Sequence, residues 1–386
     1  MKNCFRVPRV LLPQKGFRKW AVIACDQFTS DRGYWERVAR EVGDAPSAFH
    51  MILPEVYLGE DDEARIENIH ESMRFALEEG WMHKAPRGLV LVERTTKAGV
   101  RKGLLVCIDL EEYSYEEGAS SLIRATEEVV PSRLPARVAV RRGALVEFPH
   151  AMVFYRDKKD KLMRALERED LEKLYDFELM EHGGHLTGYL IPEYTAIDTL
   201  HTLSGLASPC FAVADGNHSV AAAKAYWEEV KEKLPAGERR NHPARFTLVE
   251  MVNVFDEAIA FHPIHRLVKE TDAEAFCSYF AGKVPCIRRG RTLYPKIASA
   301  PECVARTDEA IAEYLKHNEG KVDYVHGDEF LKDPGEDCAA VAMPELDREE
   351  IFTTLKKGKR FPRKTFSIGE AEDKRYYLEG REISYD

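Results

Sequence analysis

The chain has 386 residues, of which 44% are hydrophobic and 32% are charged, and its formal net charge is −10. This composition is typical of a globular protein with room for two or three domains, and the acidic balance argues against a nucleic acid or an anionic membrane as partner. No stretch approaches the roughly 18 apolar residues of a membrane span. The N-terminal MKNCFRVPRV lacks the apolar core of a signal peptide, so a cytoplasmic location is predicted.

The first predicted site element lies close to the N-terminus. The apolar run WAVIAC at 20–25 predicts a buried strand, and a helix is predicted over 33–42. Asp26 and Gln27 stand where this strand ends. Polar side chains at strand ends often line the site of an open α/β sheet, so both residues are candidates for substrate binding.

A β-hairpin is predicted next, from the apolar patterns of residues 88–94 and 101–109. Glu127 follows a small apolar patch and precedes a proline-punctuated loop. The share of charged residues rises sharply after the short strand predicted at 152–155, which indicates a domain boundary. We therefore predict an N-terminal α/β segment over residues 1–160.

A central segment is predicted over residues 161–270. In it, a Gly pair and His185 precede a strand at 186–191, and a second buried strand is predicted at 210–214. The eight cysteines contain no C-x-x-C pair, and two histidines three residues apart in a loop are weak evidence for a metal site, so no metal ligand is predicted here.

The most informative stretch is the polar turn Asp215-Gly216-Asn217-His218-Ser219, between the second strand and an Ala-rich helix. A helix N-terminus carries partial positive charge and unpaired N–H donors, so it suits a phosphate group. Gly216 allows a positive φ or the close approach of a ligand. Asp215 and His218 are three residues apart and could act as an acid/base pair, hold a phosphate or bind a metal.

The alternative interpretation of this turn is purely structural. Asp, Asn and Ser are preferred helix N-caps, and an adjacent Gly makes an ordinary turn. Capping needs no imidazole, however, and His218 therefore favours a functional role.

The last predicted segment spans residues 271–386. Just before it, a strand over 258–268 carries His262 and His265, whose side chains would point to opposite faces of a regular strand. Near the C-terminus, Lys364 belongs to a basic loop that leads into a strand. It is a candidate phosphate ligand, although such loops are usually only surface.

Several of these motifs together resemble one family. The segments WAVIACDQFTS, LPE, RATE, GGHLTGYLI, DGNHS, FHPIHRLV, YVHGDE and KKGKRFPRKT occur in the order typical of the domain-of-unknown-function family 1015 (DUF1015). The DGNHS turn is also similar to the phosphate-binding turns of the ParB/sulfiredoxin superfamily, which includes archaeal free-serine kinases. The fold implied is mixed α/β (α+β), with a central ParB/sulfiredoxin-like sheet module and flanking α/β segments.

The resemblance selects residues that lie far apart in sequence, namely Asp26, Glu127, His185, Asp215, His218, His265 and Lys364. Two positions depart from the family pattern, because Asn217 stands where His is more frequent and Ser219 where Arg is frequent. Loss of that Arg removes a bidentate phosphate donor. It puts the nucleotide, its affinity and the transfer of serine-kinase activity in doubt, although Ser219 and backbone N–H groups would still hold a phosphate.

The leading hypothesis is nucleotide-dependent phosphoryl transfer to a small hydroxyl compound, with ATP or ADP and Mg²⁺. Asp215 or Glu127 would be the base, and His218 would stabilise the transferred group. Gly216, Asn217, Ser219 and Lys364 would bind phosphate, and Asp26, Gln27, His185 and His265 would bind the substrate. Two alternatives remain: a non-catalytic nucleotide- or metabolite-binding regulatory protein, and a metal-dependent hydrolase with His185, His218 and Asp215 as ligands.

Overall fold

The computed structural model describes residues 4–23, 31–148, 151–166 and 170–384 of the chain. It is a mixed α/β structure, as predicted. Its contacts divide the chain into two compact units, residues 1–259 with 370–386 and residues 260–369. Among the described residues, no helix is long and apolar enough to cross a bilayer.

The strands of unit 1 are β1 Phe5–Arg6, β2 Leu11–Pro13, β3 Val22–Ile23, β4 Met82–Lys84, β5 Gly88–Thr96, β6 Gly99–Asp109, β7 Tyr113–Ser114, β8 Ile123–Ala125, β9 Val146–Glu147, β10 Met152–Tyr155, β11 Glu172–Glu178, β12 His185–Pro192, β13 Phe211–Asp215 and β14 Phe246–Asn253. Its helices are α1 Phe17–Trp20, α2 Arg32–Val42, α3 Asp62–Glu78, α4 Leu134–Arg142, α5 Lys161–Leu166, α6 Glu193–Ser204 and α7 Asn217–Lys233.

Unit 2 contains β15 Phe261–Pro263, β16 His265–Lys269, β17 Cys286–Arg289, β18 Thr292–Pro295, β19 Lys321–Val325, β20 Cys338–Val341 and β21 Phe366–Ile368, with helices α8 Ala273–Lys283, α9 Ala300–Leu315, α10 Glu329–Lys332 and α11 Arg348–Lys356. The chain then returns to unit 1 with β22 Tyr376–Tyr377 and β23 Arg381–Glu382.

One large sheet organises unit 1. Within the described residues it has ten strands, nine of them in the order β11-β12-β5-β6-β14-β10-β13-β8-β7, while β1 pairs with β6. This sheet differs from the segments predicted at residues 1–160 and 161–270, because strands of the first pair with strands of the second. For example, β10 pairs with both β13 and β14.

Both faces of the sheet are buried, and the sequence of β6 shows why. Leu104, Val106 and Ile108 belong to one apolar cluster, and Leu105 and Cys107 belong to another. Successive side chains of a strand point to opposite faces, so an uninterrupted apolar run supplies two cores at once. Helix α7 packs on the first cluster through small alanines and a fully buried tryptophan.

Unit 2 has its own core and its own sheet, with the strand order β17-β18-β20-β16-β19 among the described residues. Helices α8 and α9 cover it with buried Phe276, Phe280 and Tyr314. The strand predicted over 258–268 is divided into β15 and β16, which pair with different partners. Pro263 ends β15, and proline cannot donate a backbone hydrogen bond to a continuing ladder.

Candidate functional site

The turn between β13 and α7 depends on a glycine. Gly216 takes φ 75° and ψ 26°, the left-handed region, and it is the N-cap of α7. A Cβ at this position would lie 2.8 Å from the Cα of Ala151, so any other residue would collide with the neighbouring backbone. The Gly216 N–H donates to Asp215 Oδ1 at 2.9 Å. The turn therefore fixes Asp215 at the N-terminus of α7.

Two of the predicted ligand residues of this turn make hydrogen bonds that connect it to the loop after β8. Asn217 is 8% exposed; its Oδ1 accepts from the Thr126 N–H at 3.2 Å and its Nδ2 donates to Thr126 Oγ1 at 3.3 Å. His218 Nε2 accepts from the Val130 N–H at 3.1 Å. A ring nitrogen that accepts has no proton, so Nδ1 carries it in this arrangement. Both side chains thus hold the two strand ends together.

Glu127 reaches the same edge of the sheet as Asp215. Strands β8 and β13 are parallel neighbours, and Ala125 lies opposite Val213. Glu127 and Asp215 each follow these paired residues by two positions. The pairing of β8 with β13 therefore brings the two carboxylate-bearing segments to one edge of the sheet, and the Glu127 side chain is partly exposed.

A cavity of about 180 Å³ lies beside the turn, and Asp215 and Ser219 contribute to its wall. Ligand pockets for drug-sized molecules usually measure roughly 300–1,000 Å³, so this cavity matches a small metabolite or a single phosphate group. Apolar side chains form much of the remaining wall, including Trp35, Met51, Leu53, Phe148 and Tyr377.

Charged side chains form another part of the wall. Arg137 and Arg141 are four residues apart on α4, so they lie on one face of the helix, and both line the cavity. Arg137 pairs with Glu55 at 2.9 Å and Arg141 with Glu147 at 2.6 Å. Sequence reasoning missed these arginines because the run at 137–142 has the pattern of a solvated edge.

Glu147 is the best-buried acid of this wall. Burial by itself would raise the pKa of its carboxyl, but the guanidiniums of Arg381 and Arg141 and the N–H of Leu248 outweigh burial and lower the pKa to about 2. Glu147 is therefore ionised at neutral pH, and its charge is used in structural pairs.

A lysine from the C-terminal return segment lies beside Asp215. The distance from Lys374 Nζ to Asp215 Oδ2 is 3.8 Å, and the Lys374 side chain is only 11% exposed. Nothing in the local sequence around Lys374 distinguishes it from an ordinary strand-end lysine, so sequence reasoning did not select it.

His185 lies elsewhere on the sheet. It begins β12, and four strands separate β12 from β13, which corresponds to roughly 24 Å across the sheet. Its ring contacts Glu178, at 2.9 Å, and Asp176 of the same hairpin. Hydrogen bonds from the ring to these two carboxylates, first of all to Glu178, raise the pKa of His185. The structure does not bring His185 to the cavity beside Asp215.

His265 and Lys364 belong to unit 2. His265 is 3% exposed; Nδ1 accepts from the Met343 N–H at 2.9 Å, and Nε2 lies 3.0 Å from Asp328 Oδ1. Burial lowers the pKa of His265 despite that carboxylate. Lys364 takes φ 58°, and its carbonyl accepts from the buried Arg266 at 2.9 Å. Within unit 2, both residues thus have structural contacts.

The remaining candidates concern the N-terminal turn and metals. Asp26 and Gln27 lie outside the described residues. In the described part of the chain, no group of three His, Cys, Asp or Glu residues could hold a metal ion. The ligand set of the alternative hydrolase, His185 with His218 and Asp215, is accordingly not assembled.

The fold is that of a mixed α/β protein in which a strand–turn–helix motif lies beside a small cavity with charged and apolar walls. The model of the family described as "Protein of unknown function (DUF1015)" matches residues 10–359. The chain therefore belongs to the DUF1015 family, and the resemblance inferred from its motifs is confirmed. A comparison with curated proteins found no match.

Solved structures with a similar chain course include a free serine kinase in complex with AMP, at 10% identity and a TM-score of 0.36, covering 71% of this chain and 90% of that chain. A conserved hypothetical protein from Pyrococcus furiosus is 11% identical, with a TM-score of 0.35 and coverage of 71% and 94%. C-terminally truncated SbnI from Staphylococcus aureus is 11% identical, with a TM-score of 0.35 and coverage of 69% and 83%. At these values none of them indicates what this chain binds.

Proposed function

We propose that the protein transfers a phosphoryl group from ATP or ADP to a small hydroxyl compound in the cavity beside the β13–α7 turn. One observation carries the proposal: Asp215 and Ser219 of the turn line the same cavity as Arg137 and Arg141. A carboxylate, a helix N-terminus and two guanidiniums around one small space are the groups that phosphoryl transfer needs.

In this proposal the phosphate lies at the start of α7. The first-turn N–H groups and Ser219 contact it, and the guanidiniums of α4 provide the positive charge that an Arg at position 219 would otherwise supply. The small cavity volume favours the terminal phosphate together with a small acceptor, while the rest of the nucleotide extends out of the cavity.

Asp215 is the proposed general base. Its carboxylate takes the proton of the acceptor hydroxyl, and the oxygen of that hydroxyl attacks the terminal phosphorus. The bond from phosphorus to the bridging oxygen breaks, and the leaving nucleotide keeps the electron pair on that oxygen. Glu127, at the same sheet edge, is the second candidate for this role.

His218 has a different role here from the one expected. Since its Nε2 accepts from the Val130 N–H, it is placed to hold the loop after β8 rather than to donate to a phosphate. We therefore assign it as a positioning residue. Asn217 has the same kind of role through Thr126.

Mg²⁺, when bound with the nucleotide, would neutralise phosphate charge. Magnesium is usually held by one or two carboxylates together with the substrate phosphates, rather than by a complete protein cage. Asp215 or Glu127 fits such a partial set, and the described residues offer no larger one.

The first test is a direct assay of transfer. Purified protein is incubated with Mg²⁺, ATP or ADP and a panel of small alcohols that includes serine, and products are followed by ³¹P NMR. Asp215→Asn is nearly isosteric and removes the charge. We expect wild-type transfer and a loss of at least about 100-fold in kcat for Asp215→Asn, which is the usual contribution of a general base.

Asp198→Asn is the matched control, because Asp198 is an exposed acid on α6. It should retain full activity. Melting curves are also recorded with nucleotide, because a ligand at a hundredfold excess over its Kd stabilises the folded protein by about 2.7 kcal/mol. Stabilisation without transfer would favour the regulatory alternative, and the absence of both would refute the proposal.

A further inference from the structure

The C-terminal return segment, residues 370–384, brings a cation to the candidate site. After unit 2 the chain re-enters unit 1, and β22 pairs with β3 so that Tyr377 lies opposite Val22. Tyr377 also lines the cavity beside Asp215. Lys374 precedes this strand, and its ammonium lies 3.8 Å from Asp215 Oδ2.

Buried arginines hold the backbone around Lys374. Arg94, fully buried, donates to the carbonyls of Lys374 and Glu372 and, at 3.1 Å, to that of Gly183. Arg101, 2% exposed, donates to the Asp373 carbonyl at 3.0 Å. The hydrogen bonds of these two guanidiniums hold the carbonyls of three successive residues, although Nε and Nη2 of Arg101 are buried without a hydrogen-bond partner among the described residues. The position of Lys374 is therefore well determined.

The next residue is anchored as firmly. Arg375 pairs with Glu250 at 2.9 Å and with Glu379 at 2.8 Å, and all three side chains are buried. Together with Arg94 and Arg101, this buried cluster has three guanidiniums and two carboxylates.

The ion pair with Asp215 does not satisfy the ammonium. At 3.8 Å the two atoms are beyond hydrogen-bond distance, and within the described ranges no other residue accepts from the ammonium, so its three N–H donors can reach a ligand. Asp215 Oδ1 already accepts from Gly216, and Oδ2 is the oxygen that faces Lys374. A phosphate oxygen beside Asp215 would be within reach of this ammonium.

We propose that Lys374 contacts the phosphoryl group that is transferred, next to the base Asp215. This inference rests on the proposed function and adds a residue to it. The ammonium would stabilise the negative charge on the phosphoryl oxygens while Asp215 takes the proton of the acceptor. This contact would make the site selective for nucleotides that have a transferable phosphate, because AMP does not gain the contact.

The test compares Lys374→Met, Lys374→Arg and wild type in nucleotide binding by calorimetry and in transfer by ³¹P NMR. Methionine keeps the apolar stem but removes the charge. For Lys374→Met we expect the Kd of the phosphoryl donor to rise about tenfold or more, as for a lost charge-assisted hydrogen bond, with an unchanged Kd for AMP. Lys374→Arg should restore part of the binding and activity.

Lys224→Met is the control, since Lys224 is a partly buried lysine on α7 that pairs with Glu228 at 2.6 Å. It should leave both Kd values unchanged. If wild type binds nucleotide and transfers phosphate, and Lys374→Met has the same Kd values and the same transfer rate, the assignment of Lys374 is refuted and the proposed function stands. If Lys374→Met weakens AMP and the phosphoryl donor equally, or lowers the melting temperature strongly, the role is structural and the assignment also fails. If wild type neither binds nor transfers, the proposed function itself is refuted.

Discussion

Charged side chains have opposite surroundings on the inner strands of the ten-stranded sheet and on its outer hairpin. On the inner strand β14, Glu250 is fully buried and pairs with the equally buried Arg375 at 2.9 Å. On the outer strand β12, His185 is 37% exposed and pairs with Glu178, which is 63% exposed. Water screens the second pair and is excluded from the first.

This difference shows that the functional significance of a polar motif depends on where the motif lies in the sheet. The Gly-His segment before β12 and the turn after β13 have similar composition, but they border different cavities. The first lines a cavity together with Glu178 and Glu181, whereas the second lies beside the cavity next to the buried ionic cluster. Position in the sheet, rather than residue type, separates a candidate site from a solvated edge. Each of the following experiments tests that separation, beginning with the largest expected effect.

Removing an inner acid should be strongly destabilising. Glu250→Ala would leave Arg101 buried without its carboxylate and Arg375 with Glu379 alone, so we expect a loss of about 3–5 kcal/mol in the free energy of unfolding. The outer counterpart, Glu178→Ala, should change it by less than about 1 kcal/mol. Urea-induced unfolding measures both. Similar losses in the two variants would contradict the distinction between inner and outer strands.

Acid should also act through Glu147, a buried acid on β9, which pairs with β23 outside the large sheet. The Glu147 pKa is lowered from 4.5 to about 2, so its ionised form stabilises the fold above pH 4.5. That contribution, about 3 kcal/mol, is lost as the pH falls from about 4.5 towards 2, where the folded carboxyl also takes up a proton.

Urea unfolding between pH 7 and pH 2 measures this dependence. The variant Glu147→Gln cannot titrate, so it should be less stable than wild type at pH 7 and should lose less stability across the acidic window. An identical pH slope for the two proteins would show that Glu147 does not contribute as described.

An intermediate effect is expected in the turn itself. Asn217→Ala removes both hydrogen bonds to Thr126 and leaves the buried Thr126 N–H with only its longer bond to the Val213 carbonyl, at 3.4 Å, which should lower stability by about 1–3 kcal/mol. Asn241 is an exposed asparagine that accepts from Arg6 at 3.2 Å, and Asn241→Ala should change stability by less than about 0.5 kcal/mol. Equal melting temperatures for the two variants would show that Asn217 is no structural link.

The strand and helix around the turn follow directly from the sequence. The strand predicted at 210–214 is found at Phe211–Asp215, and the Ala-rich helix begins at Asn217. Apolar runs and small residues determine local structure, and local structure is what periodicity reports. The hairpin of β5 and β6 was predicted for the same reason.

The composition of the cavity could not be predicted in this way. The pairing of β22 with β3 brings Tyr377 to the wall of the cavity and Lys374 to Asp215. Arg137 lines the cavity because α4, on which it lies, borders the same cavity. Such contacts depend on topology and not on spacing along the sequence. His185 is the opposite case. Its motif predicted a site residue, but its position on the sheet does not bring it to the cavity beside Asp215.

The smallest effect is expected at His185. Its pKa is raised by hydrogen bonds to Glu178 and Asp176, so the protonated ring stabilises the hairpin below its ordinary pKa of about 6.5, and this contribution disappears as the pH rises through the folded value. The pair is exposed and screened by solvent. The variant His185→Gln should therefore lose less than about 1 kcal/mol at pH 5.5 and almost nothing at pH 8.5.

The decisive comparison for His185 is with Asp215 in the transfer assay. His185→Gln retains a hydrogen-bonding side chain and removes only the imidazole, so an effect on transfer would have to come from the ring itself. If the site is confined to the β13–α7 turn, His185→Gln should transfer phosphate at the wild-type rate while Asp215→Asn does not. A hundredfold loss in His185→Gln with an unchanged melting temperature would place the outer hairpin in the site, because an exposed ion pair of this kind has no other means of reaching the chemistry. The separation between inner strands and outer hairpin would then hold for stability alone.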